Sequence, residues 1–99
     1  MSLIEQQGER LVIHSAMTVE TVSALLSESL SLFTGNVEID LGEVVDVDSS
    51  AISLMFEWLR MAQSAKVSVT YANLPPTMIS LATLYEVLGL IPQRAGTAH

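Results

Sequence analysis

The sequence has no cysteine and few basic residues. Without cysteine, the 99-residue chain has no disulfide framework, no thiolate metal site and no thiol chemistry. Four Lys and Arg residues against eleven Asp and Glu residues give a formal charge of −7. Because so acidic a chain is repelled by phosphate backbones and by anionic lipid headgroups, we expect no direct binding to nucleic acid and no direct insertion into a membrane.

Charged residues of both signs are scarce, at 15%, whereas apolar residues reach 49%. A chain of this length fills one core, so we predict a single domain over residues 1–99 with a loose tail over residues 92–99. The longest uncharged stretch is divided by Asn73, Pro75 and Pro76, and the N-terminus lacks the basic region of a signal peptide. We therefore predict a cytoplasmic domain whose high mean hydropathy, +0.46, reflects apolar surface covered by another protein.

The order of apolar and polar residues predicts strands separated by helices. Two β-prone runs flank a polar connection that contains Gly8, which is typical of a hairpin. Further along, strict alternation predicts strands, and spacings of three and four residues predict helices. The predicted strands are 3–4, 11–13, 37–41 and 67–71, and the predicted helices are 18–35, 49–65 and 76–88, the last stopped by Gly89. We predict an α/β fold with a mixed sheet of about four strands, an N-terminal hairpin and three helices packed on the sheet.

An acidic cluster precedes the longest predicted helix. It consists of Glu38, Asp40, Glu43, Asp46 and Asp48, and Ser49 and Ser50 follow directly. Carboxylates with hydroxyl groups can bind a divalent cation, but the spacing is not that of a calcium loop and no basic residue lies nearby in the sequence. We therefore interpret Glu38 and Asp40 as the solvated side of a strand and Asp48 as the cap of the long helix.

No constellation typical of an enzyme is present. The glycines are isolated, so no phosphate-binding loop can be written. His14 and His99 have no nucleophile beside them, and we interpret both as structural or solvated. The sequence predicts no catalysis, no metal and no cofactor.

The start of the long helix admits more than one interpretation. Its free N–H groups would stabilise a phosphoryl group on Ser49 or Ser50, whereas the carboxylates just before it would oppose one. On the flank beside Ser50 lie three large side chains, Leu54, Trp58 and Met61. They are either part of a wide core-facing stripe or a partner interface, where Trp and Met are enriched.

Residues 37–51, with the sequence VEIDLGEVVDVDSSA, resemble the central signature of STAS domains. With the order of elements, the resemblance covers almost the whole chain, and it implies a non-catalytic protein-binding domain. In the anti-sigma factor antagonists of that family, a partner kinase phosphorylates the second hydroxyl of the signature, here Ser50. In the MlaB-like subunits of phospholipid-transport ABC complexes, the hydroxyl directly after the Asp, here Ser49, lies at the contact with the ATPase subunit.

The residues are more similar to the MlaB-like branch. The similarity lies in residues 48–60, the turn at 73–75 and residues 81–85, and Ala51 stands where the antagonists usually have Gly. The resemblance thus implies a subunit that binds an ABC ATPase subunit and reaches the inner membrane through partner subunits. We expect the partner site to comprise Ser49, Ser50, Leu54, Trp58 and Met61. The alternative is an antagonist-type switch phosphorylated on Ser50, or else on Ser49, with an anti-sigma kinase as partner.

The acidic cluster gives a first testable prediction. Because its spacing lacks that of a cation-binding loop, calorimetry with calcium, magnesium, manganese and zinc should detect no site tighter than roughly millimolar. A stoichiometric site of micromolar affinity would contradict the interpretation.

Overall fold

One mixed sheet and three helices make up residues 2–93, the part of the chain that the computed structural model describes. The strands are β1 (Ile4–Gln7), β2 (Arg10–Ile13), β3 (Val37–Asp40) and β4 (Val69–Ala72). The helices are α1 (Val22–Ser29), α2 (Ser49–Ala65) and α3 (Pro76–Leu84), followed by a 3-10 turn at Leu88–Leu90. The predicted α/β fold with four strands, an N-terminal hairpin and three helices is confirmed. No helix within residues 2–93 has both the length and the apolar character needed to span a bilayer.

The strand register gives the sheet one apolar face and one polar face. The strand order is β1-β2-β3-β4, with β1 antiparallel to β2 and the remaining pairs parallel. Leu11, Ile39 and Tyr71 lie side by side in neighbouring strands and belong to the core beneath the helices. The next row, Arg10, Glu38 and Thr70, points to the opposite face because side chains alternate along a strand.

Side chains and the returning chain occupy both edges of the sheet. At the β1 edge, Glu28 of α1 accepts hydrogen bonds from the N–H groups of Leu3 (3.1 Å) and Ile4 (2.8 Å). At the β4 edge, the N–H of Tyr71 donates to the carbonyl of Pro92 (2.9 Å), and Gln93 forms a parallel bridge with Tyr71. The prediction of a loose tail from residue 92 is therefore wrong for residues 92 and 93, since they pair with β4. Residues 94–99, including His99, lie outside the described residues.

Two helices end differently from the prediction. α1 begins at Val22 rather than at residue 18 because the Thr21 hydroxyl accepts from the N–H of Thr18 and donates to the carbonyl of Ala16, which holds the preceding residues in a turn. It ends at Ser29 rather than at residue 35. α3 ends at Leu84, four residues before the predicted end, and Gly89 does not stop it. Glu86 adopts the left-handed conformation instead (φ 59°), and the N–H of Val87 donates to the carbonyl of Ala82, as in a Schellman motif. The half-buried Val87 packs on the core, which accounts for this earlier end.

Asp40 is not the solvated strand residue that the alternation predicted. Its side chain lies among donors: its Oδ1 accepts from the N–H of Gly42 (2.9 Å) and from Nδ2 of Asn73 (3.1 Å). The Arg10 guanidinium lies 3.3 Å from Oδ2 of Asp40 and 3.3 Å from Oε2 of Glu38. Because these donors satisfy it, the Asp40 carboxylate lies buried where β3 and β4 end.

Leu54 and Trp58 belong to the core, so the expectation that they form an interface is wrong. Leu54 is 4% exposed and Trp58 is fully buried, because α1 packs across this flank of α2. Trp58 Nε1 donates to the Ser29 hydroxyl (2.9 Å), which in turn donates to the carbonyl of Leu26 (2.7 Å). The wide core-facing stripe is therefore the correct interpretation for these two residues, whereas Met61 is half-buried at its margin.

The Trp58 ring also fixes α2 on the sheet. Its centroid lies 6.4 Å from that of Tyr71 in a stacked arrangement, and the Tyr71 hydroxyl donates to the carbonyl of Met55 (2.7 Å). Burial raises the pKa of the Tyr71 hydroxyl, which therefore remains a donor. One aromatic pair thus connects α1, α2 and β4.

We expect Trp58→Ala to lower the free energy of unfolding by about 3–5 kcal/mol, because it removes a buried aromatic side chain and leaves a cavity. Tyr71→Phe removes a single buried hydrogen bond and should cost about 1 kcal/mol. Arg60→Ala, a change at an exposed position of the same helix, is the control and should stay within about 0.5 kcal/mol. Denaturant unfolding measures all three, and an unchanged stability of Trp58→Ala would contradict the described packing.

Candidate partner-binding site

Asp48 caps α2, as the sequence predicted, and also binds a second segment. Its Oδ1 accepts from the N–H of Ser50 (2.8 Å), and its Oδ2 accepts from the N–H of Val19 (3.0 Å). These backbone donors, Val19 first, hold the pKa of the Asp48 carboxyl below its usual range. One carboxylate therefore joins the start of α2 to the turn that precedes α1.

Backbone pairing holds the same two segments together. The N–H of Met17 donates to the carbonyl of Asp46 (2.8 Å), and the N–H of Asp48 donates to the carbonyl of Met17 (3.2 Å). Met17 is fully buried, so its side chain anchors this bridge in the core. The turn before α1 and the start of α2 therefore form one surface.

Ser49 is exposed on that surface, and Ser50 is half-buried. Two large apolar side chains of the joined segments are also exposed, Val19 at 69% and Val45 at 84%. Exposed carboxylates of Glu20 and Asp46 accompany them. A surface that combines a hydroxyl group, apolar side chains and carboxylates is suited to contact with another protein.

The five residues expected at the partner site do not share one surface. Ser49 and Ser50 lie together at the start of α2, whereas Leu54 and Trp58 point into the core. Met61 lies three turns further along the helix, about 18 Å from Ser49. The serine pair is therefore the part of the expected site that remains at the surface beside the turn that carries Val19.

His14 lies next to this surface, and sequence reasoning gave it no role there. Its Nε2 lies 2.7 Å from Oε1 of Glu5, and its Nδ1 lies 2.8 Å from Oε1 of Glu43. Each carboxylate needs a donor, so the arrangement favours the doubly protonated ring, and the hydrogen bond to Glu5 is the main cause of the raised pKa of His14. Glu43 precedes α2 by six residues, so His14 connects the hairpin to the loop that carries Val45. The hairpin alone could have indicated the Glu5 contact, but not the contact with Glu43.

Within residues 2–93, no three His, Asp or Glu side chains come together as a set that could hold a metal ion. The carboxylates of the acidic cluster have separate roles instead. Asp40 binds Gly42 and Asn73, Glu43 binds His14, and Asp48 caps α2.

A family model described as "Mlab, STAS domain" matches residues 3–92. The chain belongs to the STAS domain family. A search of curated proteins by sequence found no match. Among solved structures, that of a candidate anti-sigma factor antagonist from Thermotoga maritima superposes with a TM-score of 0.73 at 9% identity, covering 91% of this chain and 82% of that one. At this identity the likeness shows the STAS fold alone.

In this STAS domain, the His14 bridge gives a pH-dependent prediction. The pKa of His14 in the folded protein is raised above its ordinary value of about 6.5. The stabilising contribution of the bridge is therefore fully present below pH 6.5 and is lost as the pH rises through the folded pKa of His14. The stability difference between the unaltered protein and His14→Gln should therefore be largest below pH 6.5 and shrink above it. Unfolding at several pH values measures this difference, and NMR titration of the ring should give a raised midpoint. A midpoint at or below the ordinary value would show that the bridge does not form in solution.

Proposed function

We propose that this STAS domain is a non-catalytic subunit of a lipid-transport ABC complex and that it binds the ATPase subunit through the start of α2. The observation that carries the proposal is the exposed Ser49 hydroxyl at the start of α2, next to the turn that carries the exposed Val19 and is bound by the Asp48 carboxylate. The family description, which includes the name Mlab, and the general role of STAS domains in binding proteins support it. Such a subunit is cytoplasmic and reaches the inner membrane through its partner subunits.

The second candidate function is a phospho-switch of the anti-sigma factor antagonist type, with an anti-sigma kinase as partner. The fold shared with the Thermotoga maritima protein favours it, and Ser50 or else Ser49 would accept the phosphoryl group. Two features of the site count against it. The Ser50 N–H is already bound by the Asp48 carboxylate, and a phosphoryl group there would be repelled by Asp46 and Asp48.

Substitution of the serine pair separates the two functions. On the ABC proposal, Ser49→Ala should weaken binding of the ATPase subunit modestly, and Ser49→Glu should abolish most of it, because Ser49 contributes through size and hydrogen bonding. Ser80→Ala changes an exposed serine of α3, away from the start of α2, and is the control, which should bind normally. Affinity capture from the protein's own cells, with mass spectrometry of the captured ATPase subunit, measures the binding.

Intact mass of the same purified protein completes the test. The ABC proposal expects no phosphorylated population. A substantial population heavier by one phosphate would overturn it in favour of the switch, provided that Ser50→Asp releases the partner and Ser50→Ala binds it constitutively.

A further inference from the structure

Two neighbouring cavities lie along the contact between α1 and α2, and we refer to them together as the groove. They measure about 310 Å³ and 430 Å³ and share Glu57 as a lining residue. The first cavity begins at Ser50, and the second ends at Ala65. These residues span most of α2, so the groove is about 22 Å long, which equals roughly four turns of a helix.

The residues along the groove recur with helical spacing on both sides. Val22, Leu26 and Leu30 follow one another at intervals of four on the α1 side. Ser53, Glu57 and Met61 do the same on α2. The groove therefore runs parallel to the two helices, and its shape suits an elongated occupant better than a compact small molecule.

The groove combines buried apolar residues with one exposed large aliphatic side chain. Its most buried lining residues, Leu54 and Phe33, are apolar, and Leu30 is 65% exposed. Met61, a flexible side chain of the kind that adapts to partners, lines the second cavity. The Glu57–Arg60 ion pair, at 3.5 Å, is exposed and therefore weak. An amphipathic helix docks into a groove of this kind through apolar residues on one face.

The charges at the two ends of the groove predict the orientation of a bound helix. The end of the groove at Ser50 adjoins the capping carboxylate of Asp48, and Glu20 follows Val19, whose N–H binds that carboxylate. At the other end, Arg60 lines the second cavity and Lys66 follows Ala65. A complementary helix carries Lys or Arg at the end that lies beside Ser50.

We propose that the groove between α1 and α2 receives an amphipathic helix of the protein partner, with its apolar face on Leu26, Leu30 and Met61 and its basic end beside Ser50. The inference rests on the proposed function for the existence of a partner at the start of α2, and it adds the segment and the chemistry by which that partner is recognised. It requires no movement of the core, since the groove is already open.

A matched pair of leucines tests the proposal. Leu30, in the groove, and Leu84, at the end of α3, are 65% and 72% exposed, so Leu→Ser at either position should leave the fold intact. Leu30→Ser should weaken capture of the ATPase subunit about tenfold or more, as expected for an apolar anchor, whereas Leu84→Ser should change it less than about twofold. Equal effects of the two substitutions would overturn the proposal.

Photo-crosslinking identifies the occupant. Benzoylphenylalanine placed at Leu30 or at Ser53 in the full chain, in its own cells, should form adducts with one partner segment. That segment should have apolar residues at intervals of three and four, and Lys or Arg at the end crosslinked from Ser53. A third chain with the probe at Thr70, on the polar face of the sheet, should form no such adduct. A synthetic peptide of the segment should bind the purified protein less tightly as salt increases.

The remaining outcomes distinguish this inference from the proposed function. A further chain carries the probe at Ser49. If Ser49→Glu abolishes capture but Leu30→Ser does not, and the probe at Ser49 forms adducts while those at Leu30 and Ser53 do not, the groove proposal fails and the proposed function stands. Adducts of the groove probes with a second copy of the chain, or with a partner segment that lacks helical spacing, also overturn the groove proposal. If the groove probes crosslink a basic amphipathic helix of a protein that is not an ABC ATPase subunit, the proposed function fails and the groove proposal stands.

Discussion

The Asp48 carboxylate organises the surface of this STAS domain, because its two oxygens bind two segments that are distant in the sequence. One oxygen satisfies a free N–H group in the first turn of α2, and the other holds the turn before α1. The Met17 bridge ties the same turn to the segment just before α2. Together with the hydrogen bond between Trp58 and Ser29, these attachments hold α1 beside α2 and so form the groove between them.

Burial of Trp58 shows what helical periodicity leaves open. The spacing of apolar residues predicted the full length of α2, Ser49–Ala65. It could not decide whether the flank with Leu54 and Trp58 faces solvent or another helix. That depends on where α1 packs, and the contact between Trp58 and Ser29 joins residues 29 positions apart in the chain. Part of the high mean hydropathy therefore serves a wide core rather than a partner.

Helix ends were least predictable where a residue other than glycine adopts the left-handed conformation, and burial was least predictable where distant side chains bind a carboxylate. Lys66 and Glu86 both adopt the left-handed conformation, so a search for glycine alone finds neither helix end. The alternation of residues along β3 predicted a solvated Asp40. Its carboxylate is buried instead, because Arg10 of β2 and Asn73, which follows β4, bind it. Asp48 was predictable because capping is local: the side chain and the N–H of Ser50 are two residues apart. The contact of His14 with Glu43 and the shape of the groove are long-range and become visible only in the folded chain.

The occupied edges of the sheet have a consequence for how this domain exchanges partners. Glu28 binds the N–H of Ile4 at the start of β1, and the chain at Pro92 and Gln93 pairs with Tyr71 of β4, so a foreign strand meets an obstacle to main-chain pairing at both edges. Main-chain pairing depends little on side-chain identity, and it is difficult to reverse by a single chemical change. Association through the helical side, as in the proposed function, would instead depend on individual side chains. A change of the single Ser49 hydroxyl would then alter the lifetime of the complex.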